Sequence, residues 1–450
     1  MATNRLDRVL IPLSLAILGF LFLIVMGLLI GSGKWEDETN GRPTTVAQPD
    51  SWIRDEEPQR TLVIPATAQL SKTVNPGAAS PLAKWTSERL KKILDREGTV
   101  RSEALITFES PSQLAGFAKF AAASGVKVLW TDDRLRSARV VFDDLETLAN
   151  VLNTADDESI DIAPNYVAQV PGLPVEDPER TDDENAGGRA PFSESLMESL
   201  GAAQNREDWG TGITVAILDS GVAVHSTLEG VEVQTATLIE DAEIVNGHGT
   251  AMASLVAGRL FPAEGIAQAS RILDIRVADE DGFSNTALLA EGIMTAADSG
   301  AQVINISLGS FGDSSTLRDA INYALERQII VVASAGNEQF STIAYPAAYP
   351  GVVAVAAVDA NNKQAWFSNS GENITLAAPG VGILSAYTEN ELVIGSGTSQ
   401  ATALTSGAIA AMLGWNYEPE QIIEELQRNA HVTGAPPEQV GAGVLRLPEK

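Results

Sequence analysis

The feature that most restricts the fold is an alternation, throughout residues 194–450, of short apolar runs with longer segments of helical length. The apolar runs are rich in branched side chains, which favour buried strands; they lie at residues 213–218, 271–277, 303–307, 329–334 and 352–357. Segments of helical length, such as 284–299 and 315–327, separate them. Strands joined by helices run parallel and need apolar cover on both faces. The pattern therefore predicts an α/β fold with a mostly parallel sheet covered by helices on both faces.

A smaller unit, predicted at residues 100–170, precedes this domain and has a different pattern. Strands and two helices alternate there in the order βαββαβ, and the strands are predicted at residues 104–108, 126–130, 137–142 and from 159 onwards. Ser110 and Asp144 stand at the helix starts as N-caps. This order is typical of a ferredoxin-like α+β sandwich. An unrelated α+β module is the alternative.

The first 33 residues contain an uncharged segment, residues 9–30, that is 22 residues long. A helix of that length spans the hydrocarbon core of a bilayer, which is about 30 Å thick. We therefore predict an N-terminal transmembrane helix. A cleaved signal segment is the alternative, because Gly31-Ser32-Gly33 offers small residues to a signal peptidase. The basic residues before the segment favour an orientation that places the rest of the chain outside the cytoplasm.

Two stretches are predicted to be connections. Residues 34–99 begin with a Pro-rich polar stretch, which is typical of a tether, and end with a short helix predicted at 81–97. Residues 171–193 are acidic and contain a Gly-Gly pair, which predicts an exposed linker. Because exposed linkers are preferred sites of proteolysis, we expect a processing site in this linker.

Charge and composition exclude several functions. The 450 residues include 30 basic and 59 acidic side chains, for a net charge of −29, and residues 194–450 carry −21 of it. So acidic a chain, without a marked basic patch, is unsuited to neutralising the phosphates of nucleic acid. Cysteine is absent, which excludes disulfides, thiolate nucleophiles and Cys-ligated metal centres.

Polar residues with catalytic potential follow the predicted strands. Asp219 ends the first apolar run, and a carboxylate at the carboxyl end of a strand can orient a catalytic imidazole. His248, one of three histidines, lies between glycines at the start of a helical segment. Ser399 begins another helical segment, where backbone N–H groups favour an oxyanion, and Asn337 offers an amide donor after the fourth run. Each residue alone also fits a turn or a helix cap; together they indicate one catalytic site.

On these residues the second half of the chain resembles the subtilisin-like serine protease family. The aspartate motif of the family matches Asp219-Ser220-Gly221, its histidine motif His248-Gly249-Thr250 and its serine motif Gly397-Thr398-Ser399. Its oxyanion asparagine falls on Asn337 and its substrate-lining segment on Ser307-Leu308-Gly309. The resemblance covers nearly all of residues 194–450. It implies a subtilisin-like fold with a catalytic triad of Asp219, His248 and Ser399.

Residues 100–170 in turn resemble the propeptide of the same family, which assists folding and blocks the site until it is cut. The resemblance implies a serine endopeptidase made as a self-inhibited precursor, with polypeptide as its substrate and its own propeptide as a partner in cis. Gln400 and Ala403 replace the methionine and proline that many members carry, and neither change removes a catalytic group. We expect the protease domain to be membrane-anchored outside the cytoplasm, or secreted after processing.

Calcium is implied only by the family resemblance, and the catalysis itself requires no cofactor. The sequence has no EF-hand spacing and identifies no metal ligands. Two other functions stay open. One is a membrane-tethered binding or scaffold protein on an inactive protease fold. The other is a transpeptidase that uses the same acyl-enzyme with an amine acceptor.

Overall fold

The computed structural model describes residues 84–155, 160–171, 189–192, 195–239 and 246–449. The chain divides into two units, Met1–Ala78 and Ala79–Lys450, and all described residues belong to the second. The predicted membrane segment, the Pro-rich tether and most of the acidic linker lie outside the described residues. Within the described ranges, no helix has both the length and the apolar character needed to cross a membrane.

Residues 84–163 build a four-stranded antiparallel sheet with helices against it. The elements, in chain order, are α1 (Ser87–Leu94), β1 (Glu103–Thr107), α2 (Pro111–Ala123), β2 (Val126–Asp132), β3 (Ser137–Phe142), α3 (Leu145–Thr154) and β4 (Asp161–Ala163). The strands lie in the order β2-β3-β1-β4, so the βαββαβ pattern of the sequence is present. Ser110 and Asp144 accept hydrogen bonds from the N–H groups at the starts of α2 and α3, as N-caps do.

This small sheet has two apolar faces. Ile106 on β1 lies in one apolar cluster with Phe117 on α2 and Leu148 on α3. The preceding side chain, Leu105, points to the opposite face because successive side chains of a strand alternate. There it lies in a cluster with Ala287 of the larger domain. The second face of the small sheet is therefore an interface with that domain.

The larger domain contains a seven-stranded sheet in which all strands run parallel. The elements after β4 are β5 (Val167–Gln169), α4 (Leu196–Ser199), β6 (Thr214–Asp219), β7 (Val233–Thr237), α5 (His248–Ala257), β8 (Arg271–Arg276), β9 (Phe283–Asn285), α6 (Thr286–Asp298), β10 (Val303–Ile306), α7 (Ser315–Leu325), β11 (Ile330–Ser334), β12 (Val353–Val358), β13 (Leu376–Pro379), β14 (Ile383–Ala386), β15 (Leu392–Gly395), α8 (Thr398–Gly414), α9 (Pro419–Asn429) and α10 (Pro437–Val440). The sheet order is β13-β12-β11-β10-β6-β8-β7. The predicted α/β fold is thus confirmed.

Helices cover both faces of this sheet, and strand β6 shows how. Val215 and Ile217 lie in the apolar cluster that contains α5 and α8, whereas Ala216 and Leu218 lie in the cluster that contains α6 and α7. Both sets of side chains are fully buried. A strand buried on both faces has no polar alternation, which is why these runs are continuously apolar in the sequence.

Helix α8 packs against both the sheet and α5, and its residues 398–412 leave no exposed stripe. All its residues from Thr398 to Met412 are buried. Gly407 lies against the end of α5 and the segment after it, since a Cβ at that position would lie 3.1 Å from the Cβ of Ile266 and 3.4 Å from the backbone of Val256. A helix buried all round needs small or apolar residues on every face. Its N-terminus, which carries Ser399, is therefore held in place by the whole core.

Candidate active site

The structure places the predicted catalytic residues at the ends of elements of the larger domain. Asp219 is the last residue of β6, and His248 is the first residue of α5. Ser399 is the second residue of α8, and Asn337 lies three residues after the end of β11. Because the strands are parallel, the carboxyl ends of β6 and β11 lie at one edge of the sheet. The site forms along this edge.

Asp219 and His248 form a hydrogen-bonded pair. His248 Nδ1 lies 2.9 Å from each carboxylate oxygen of Asp219, whose side chain is fully buried while that of His248 is 14% exposed. A carboxylate only accepts hydrogen bonds, so Nδ1 carries the proton and Nε2 is left as an acceptor. Gly249 permits this approach, because a Cβ there would lie 2.5 Å from the carbonyl oxygen of Gly221. The pair has the arrangement of a general base held by a carboxylate.

Ser399 is 2% exposed and contacts the predicted substrate-lining segment. Its hydroxyl donates to the carbonyl oxygen of Ser307 at 3.2 Å, and the Ser307 hydroxyl donates to the carbonyl oxygen of Ser399 at 3.4 Å. The structure thus brings Ser399 to Ser307, immediately after β10. In this state the Ser399 hydroxyl is directed at Ser307 and not at His248.

The side chain of Asn337 is fixed by Thr398. Its carbonyl oxygen accepts from the backbone N–H of Thr398 at 2.9 Å and from the Thr398 hydroxyl at 2.8 Å. The amide nitrogen therefore points the other way. A Cβ on Gly397 would lie 2.8 Å from Gln400 Oε1, 3.2 Å from that nitrogen and 3.7 Å from the backbone nitrogen of Ser399. The amide nitrogen of Asn337 and the backbone nitrogen of Ser399 thus lie on the same side of Gly397, as the two donors of an oxyanion site would.

A cleft lies beside Ser399, with one wall on each side of strand β5. Gly309 forms one wall and exchanges two backbone hydrogen bonds with Gln169, at 3.2 and 3.4 Å. Strand β9 forms the other wall and pairs antiparallel with β5. Leu308, predicted to line the substrate site, has its side chain in the core. Only its backbone can serve a bound chain.

The sequence indicated no role for three residues of the site, although Ser220 and Thr398 lie in the motifs named above. Thr398 orients Asn337, Ser220 donates its backbone N–H to Asp219 at 2.8 Å, and Gly282 accepts a backbone hydrogen bond in the cleft. Thr398 and Ser220 are immediate neighbours of the predicted catalytic residues, and this position in the chain was the only sign in the sequence that they belong to the site. Gly282 lies in no motif, and only the pairing of β5 with β9 reveals it.

Among the residues that the structure describes, no calcium site is found. Within the described ranges, no group of three or more His, Asp or Glu side chains is arranged to hold a metal ion. At the candidate site, the Asp219 carboxylate is directed at His248. Calcium stays a prediction from the family resemblance.

Comparisons with known proteins give a consistent result. The profile of the subtilase family matches residues 210–443. The thermostable alkaline protease of Halalkalibacterium halodurans is 38% identical over 241 residues, which are 52% of this chain and 66% of that protein. Subtilisin BL of Lederbergia lenta is 36% identical over 242 residues, which are 52% of this chain and 89% of that protein. The chain therefore spans just under two thirds of the length of the first of these relatives.

A solved structure supports the fold. Fervidolysin from Fervidobacterium pennivorans, a keratinolytic enzyme related to subtilisin, superposes with a TM-score of 0.65. The superposition covers 79% of this chain and 62% of fervidolysin, at 24% sequence identity. At this identity the likeness concerns the fold alone.

A second buried carboxylate lies beside the site and was not identified from the sequence. Asp274 on β8 is paired with Ile217 on β6 and with Thr235 on β7, and it is fully buried. Burial, with a smaller contribution from the nearby Asp219 carboxylate, raises the pKa of Asp274 to about 6. A role for Asp274 could not be predicted from the sequence, because the residue lies inside an apolar run that is otherwise typical of a buried strand.

This pKa predicts a pH-dependent stability. The folded chain resists ionisation of Asp274 up to about pH 6, whereas the unfolded chain ionises near pH 4. The group therefore lowers the free energy of unfolding as pH rises from about 4 to 6, by about 3 kcal/mol, and has a constant effect above that range. The test measures urea unfolding in a Ser399→Ala background. The free energy of unfolding of Asp274→Asn, relative to that of its parent, should rise by that amount between pH 4 and pH 7. Glu280→Gln, at an exposed acid nearby, is the control. An unchanged difference across this range would contradict the assignment.

Proposed function

The chain belongs to the subtilase family, and from this premise we propose that residues 194–450 form a serine endopeptidase domain, made as a precursor that residues 100–170 inhibit. The observation that carries the proposal is the Asp219–His248 pair, with Nδ1 2.9 Å from both carboxylate oxygens. A general base in this tautomer serves acyl transfer by a serine nucleophile. Ser399, at the start of the buried helix α8, is the nucleophile of the proposal.

The reaction proceeds in two halves. Ser399 Oγ attacks the carbonyl carbon of the peptide bond while His248 Nε2 accepts the hydroxyl proton. His248 then gives that proton to the leaving amine, which forms the acyl-enzyme, and water hydrolyses the ester by the same route in reverse. Asp219 holds the imidazole and stabilises its charged form. Asn337 and the backbone N–H of Ser399 donate to the oxyanion of each tetrahedral intermediate.

The Ser399 hydroxyl must turn for this chemistry. In the described state it donates to Ser307, and rotation about its Cα–Cβ bond redirects it to His248. Catalytic hydrogen bonds are often absent or long before substrate binds. The bond to Ser307 therefore corresponds to a resting form of the site.

Inhibition of the precursor rests on residues 167–171, which occupy the cleft and which we call the cleft segment. Strand β5 comes directly after the small domain. It lies between β9 and Gly309 and pairs antiparallel with both. An extended substrate would bind by the same addition of a strand. The small domain therefore holds its own C-terminal segment where a substrate chain belongs.

Asn165 fastens this segment to the larger domain. Its amide donates to Glu103 at 2.7 Å, and its carbonyl oxygen accepts from the Thr286 hydroxyl at 3.0 Å and the Ala287 N–H at 3.1 Å. Asn165 is fully buried, and loss of a buried hydrogen-bond partner is costly. It therefore links the small domain to the start of α6.

We also propose that the protease domain works outside the cytoplasm, because an uncharged segment long enough to span a bilayer precedes it in the sequence. Calcium binding is a separate proposal that derives from family membership. Its test is a thermal melt with and without a chelator.

The self-processed protein should react with a fluorophosphonate probe and hydrolyse a peptide substrate, whereas Ser399→Ala should neither process itself nor label, because the attacking hydroxyl is removed. Ser396→Ala, three residues away in the same segment, is the matched control and should label normally. Undiminished labelling of Ser399→Ala would contradict the role of Ser399. Mass spectrometry of the products distinguishes hydrolysis from transpeptidation.

Asn337→Ala should lower kcat by about 10²–10³-fold with little change in KM, which is the magnitude known for an oxyanion donor of subtilisin itself. The donor acts on charge that develops only in the transition state, so substrate binding is spared. Steady-state kinetics on one peptide check this. A loss confined to KM would show that Asn337 binds substrate instead.

In the full chain that also carries Ser399→Ala, Asn165→Ala should weaken the attachment of the cleft segment to the larger domain. Loss of these hydrogen bonds should speed amide exchange at Val170 and Gly309 about tenfold. Asn153→Ala is the control, because Asn153 bonds to Trp85 within the small domain and lies away from the interface. Equal exchange in both variants would contradict the role of Asn165.

A further inference from the structure

The hydrogen bonds of the cleft segment alternate between its two walls. Gln169 exchanges both of its backbone bonds with Gly309 on one side. The next residue, Val170, donates its N–H to the Gly282 carbonyl oxygen on the other side at 2.9 Å. This alternation is that of an extended strand inside a sheet. The backbone of the residue after Val170 should therefore face the wall of Gly309 again.

The register identifies the partner of that residue. In an antiparallel ladder, a hydrogen-bonded pair recurs two residues further on one strand and two residues back on the other. The pair after Gln169 and Gly309 is therefore residue 171 with Ser307. The carbonyl oxygen of Ser307 is the atom to which the Ser399 hydroxyl donates. The register thus places residue 171 beside the atom that Ser399 contacts.

Residue 171 is a proline. Proline has no backbone N–H, so the ladder bond from residue 171 to the Ser307 carbonyl cannot form. That carbonyl accepts the Ser399 hydroxyl instead, at 3.2 Å. A proline also restricts the residue before it, Val170, to an extended backbone. Pro171 therefore favours binding of the cleft segment, because it keeps Val170 extended. It also removes the hydrogen bond to Ser307 that would position the carbonyl group of residue 171.

We propose that Pro171 is an inhibitory residue that keeps the Pro171–Gly172 bond intact in the precursor. It withholds the N–H that would anchor the scissile residue to Ser307, and it leaves the Ser307 carbonyl free to hold the Ser399 hydroxyl away from His248. The inference rests on the proposed function. It implies that the precursor is cut elsewhere, beyond residue 172, before the cleft segment is released.

With alanine at position 171, the bond becomes an ordinary substrate. Ser399 Oγ attacks the carbonyl carbon of residue 171, the C–N bond to Gly172 breaks, and Gly172 leaves as a free amine with the proton carried by His248. Water then hydrolyses the acyl-enzyme to a carboxylate on residue 171. No other reactant is needed.

The first experiment measures self-processing of the full chain. Pro171→Ala should be cut at least about tenfold faster than wild type at this bond, and sequencing should find Gly172 as the new N-terminus. Pro174→Ala, in the same linker, is the matched control and should behave as wild type. Pro171→Ala combined with Ser399→Ala should stay uncut. Cleavage of the wild type at Pro171–Gly172 at the rate of Pro171→Ala would overturn the proposal.

The second experiment separates the missing N–H from the ring of proline. Synthetic peptides of residues 167–175 carry proline, alanine or N-methylalanine at position 171 and are mixed with the protease freed by self-processing of Pro171→Ala. The alanine peptide should be cut before Gly172, whereas the proline and N-methylalanine peptides should inhibit and stay intact. Equal cleavage of the alanine and N-methylalanine peptides would overturn the role of the N–H.

These results also distinguish the proposal from the function on which it rests. If no variant labels with fluorophosphonate or cuts any peptide, the proposed protease function fails. If the protein labels and cuts other peptides but Pro171→Ala is processed like wild type, the role of Pro171 alone fails.

Discussion

The complete burial of helix α8 is the constraint on which the rest of the larger domain depends. A helix that is apolar or small on every face cannot lie at a surface, so the sheet and α5 must enclose it. This enclosure fixes the position of its first turn to within the tolerance of a packed core. Ser399 lies in that turn, and its backbone nitrogen and the amide nitrogen of Asn337 both lie near Gly397. The proposed nucleophile is thus held largely by the packing of small and apolar side chains.

The cleft beside this turn arises from a second physical requirement, the pairing of strand edges. The backbone of Gly309 and the edge of β9 both offer hydrogen-bonding groups that need a partner or water. In this chain β5 supplies the partner and joins both walls. A substrate would meet the same groups, so in the proposed precursor inhibition and substrate binding would use one set of backbone contacts. The proposal for Pro171 then places the difference between an inhibitor and a substrate immediately after β5.

Much of the fold could be predicted because burial leaves a mark on sequence. The doubly covered strands are continuously apolar, and the helices between them have their usual lengths. Strand β7 could not be predicted because it lies at the sheet edge with most side chains exposed. Strand β13 was missed since it is four residues long and ends in proline. Leu308 was correctly placed beside the cleft, but its side chain packs in the core.

The sequence by itself determined the order of elements and the catalytic candidates, because strand ends and helix starts can be recognised locally. Asp219, His248, Ser399 and Asn337 each stand at such an end. Only the tertiary structure decided which groups meet. The bonds from Ser399 to Ser307, from Thr398 to Asn337 and from Gln169 to Gly309 join residues 61 to 140 positions apart. Such partners are set by the packing of the sheet and its helices, and no local pattern encodes them.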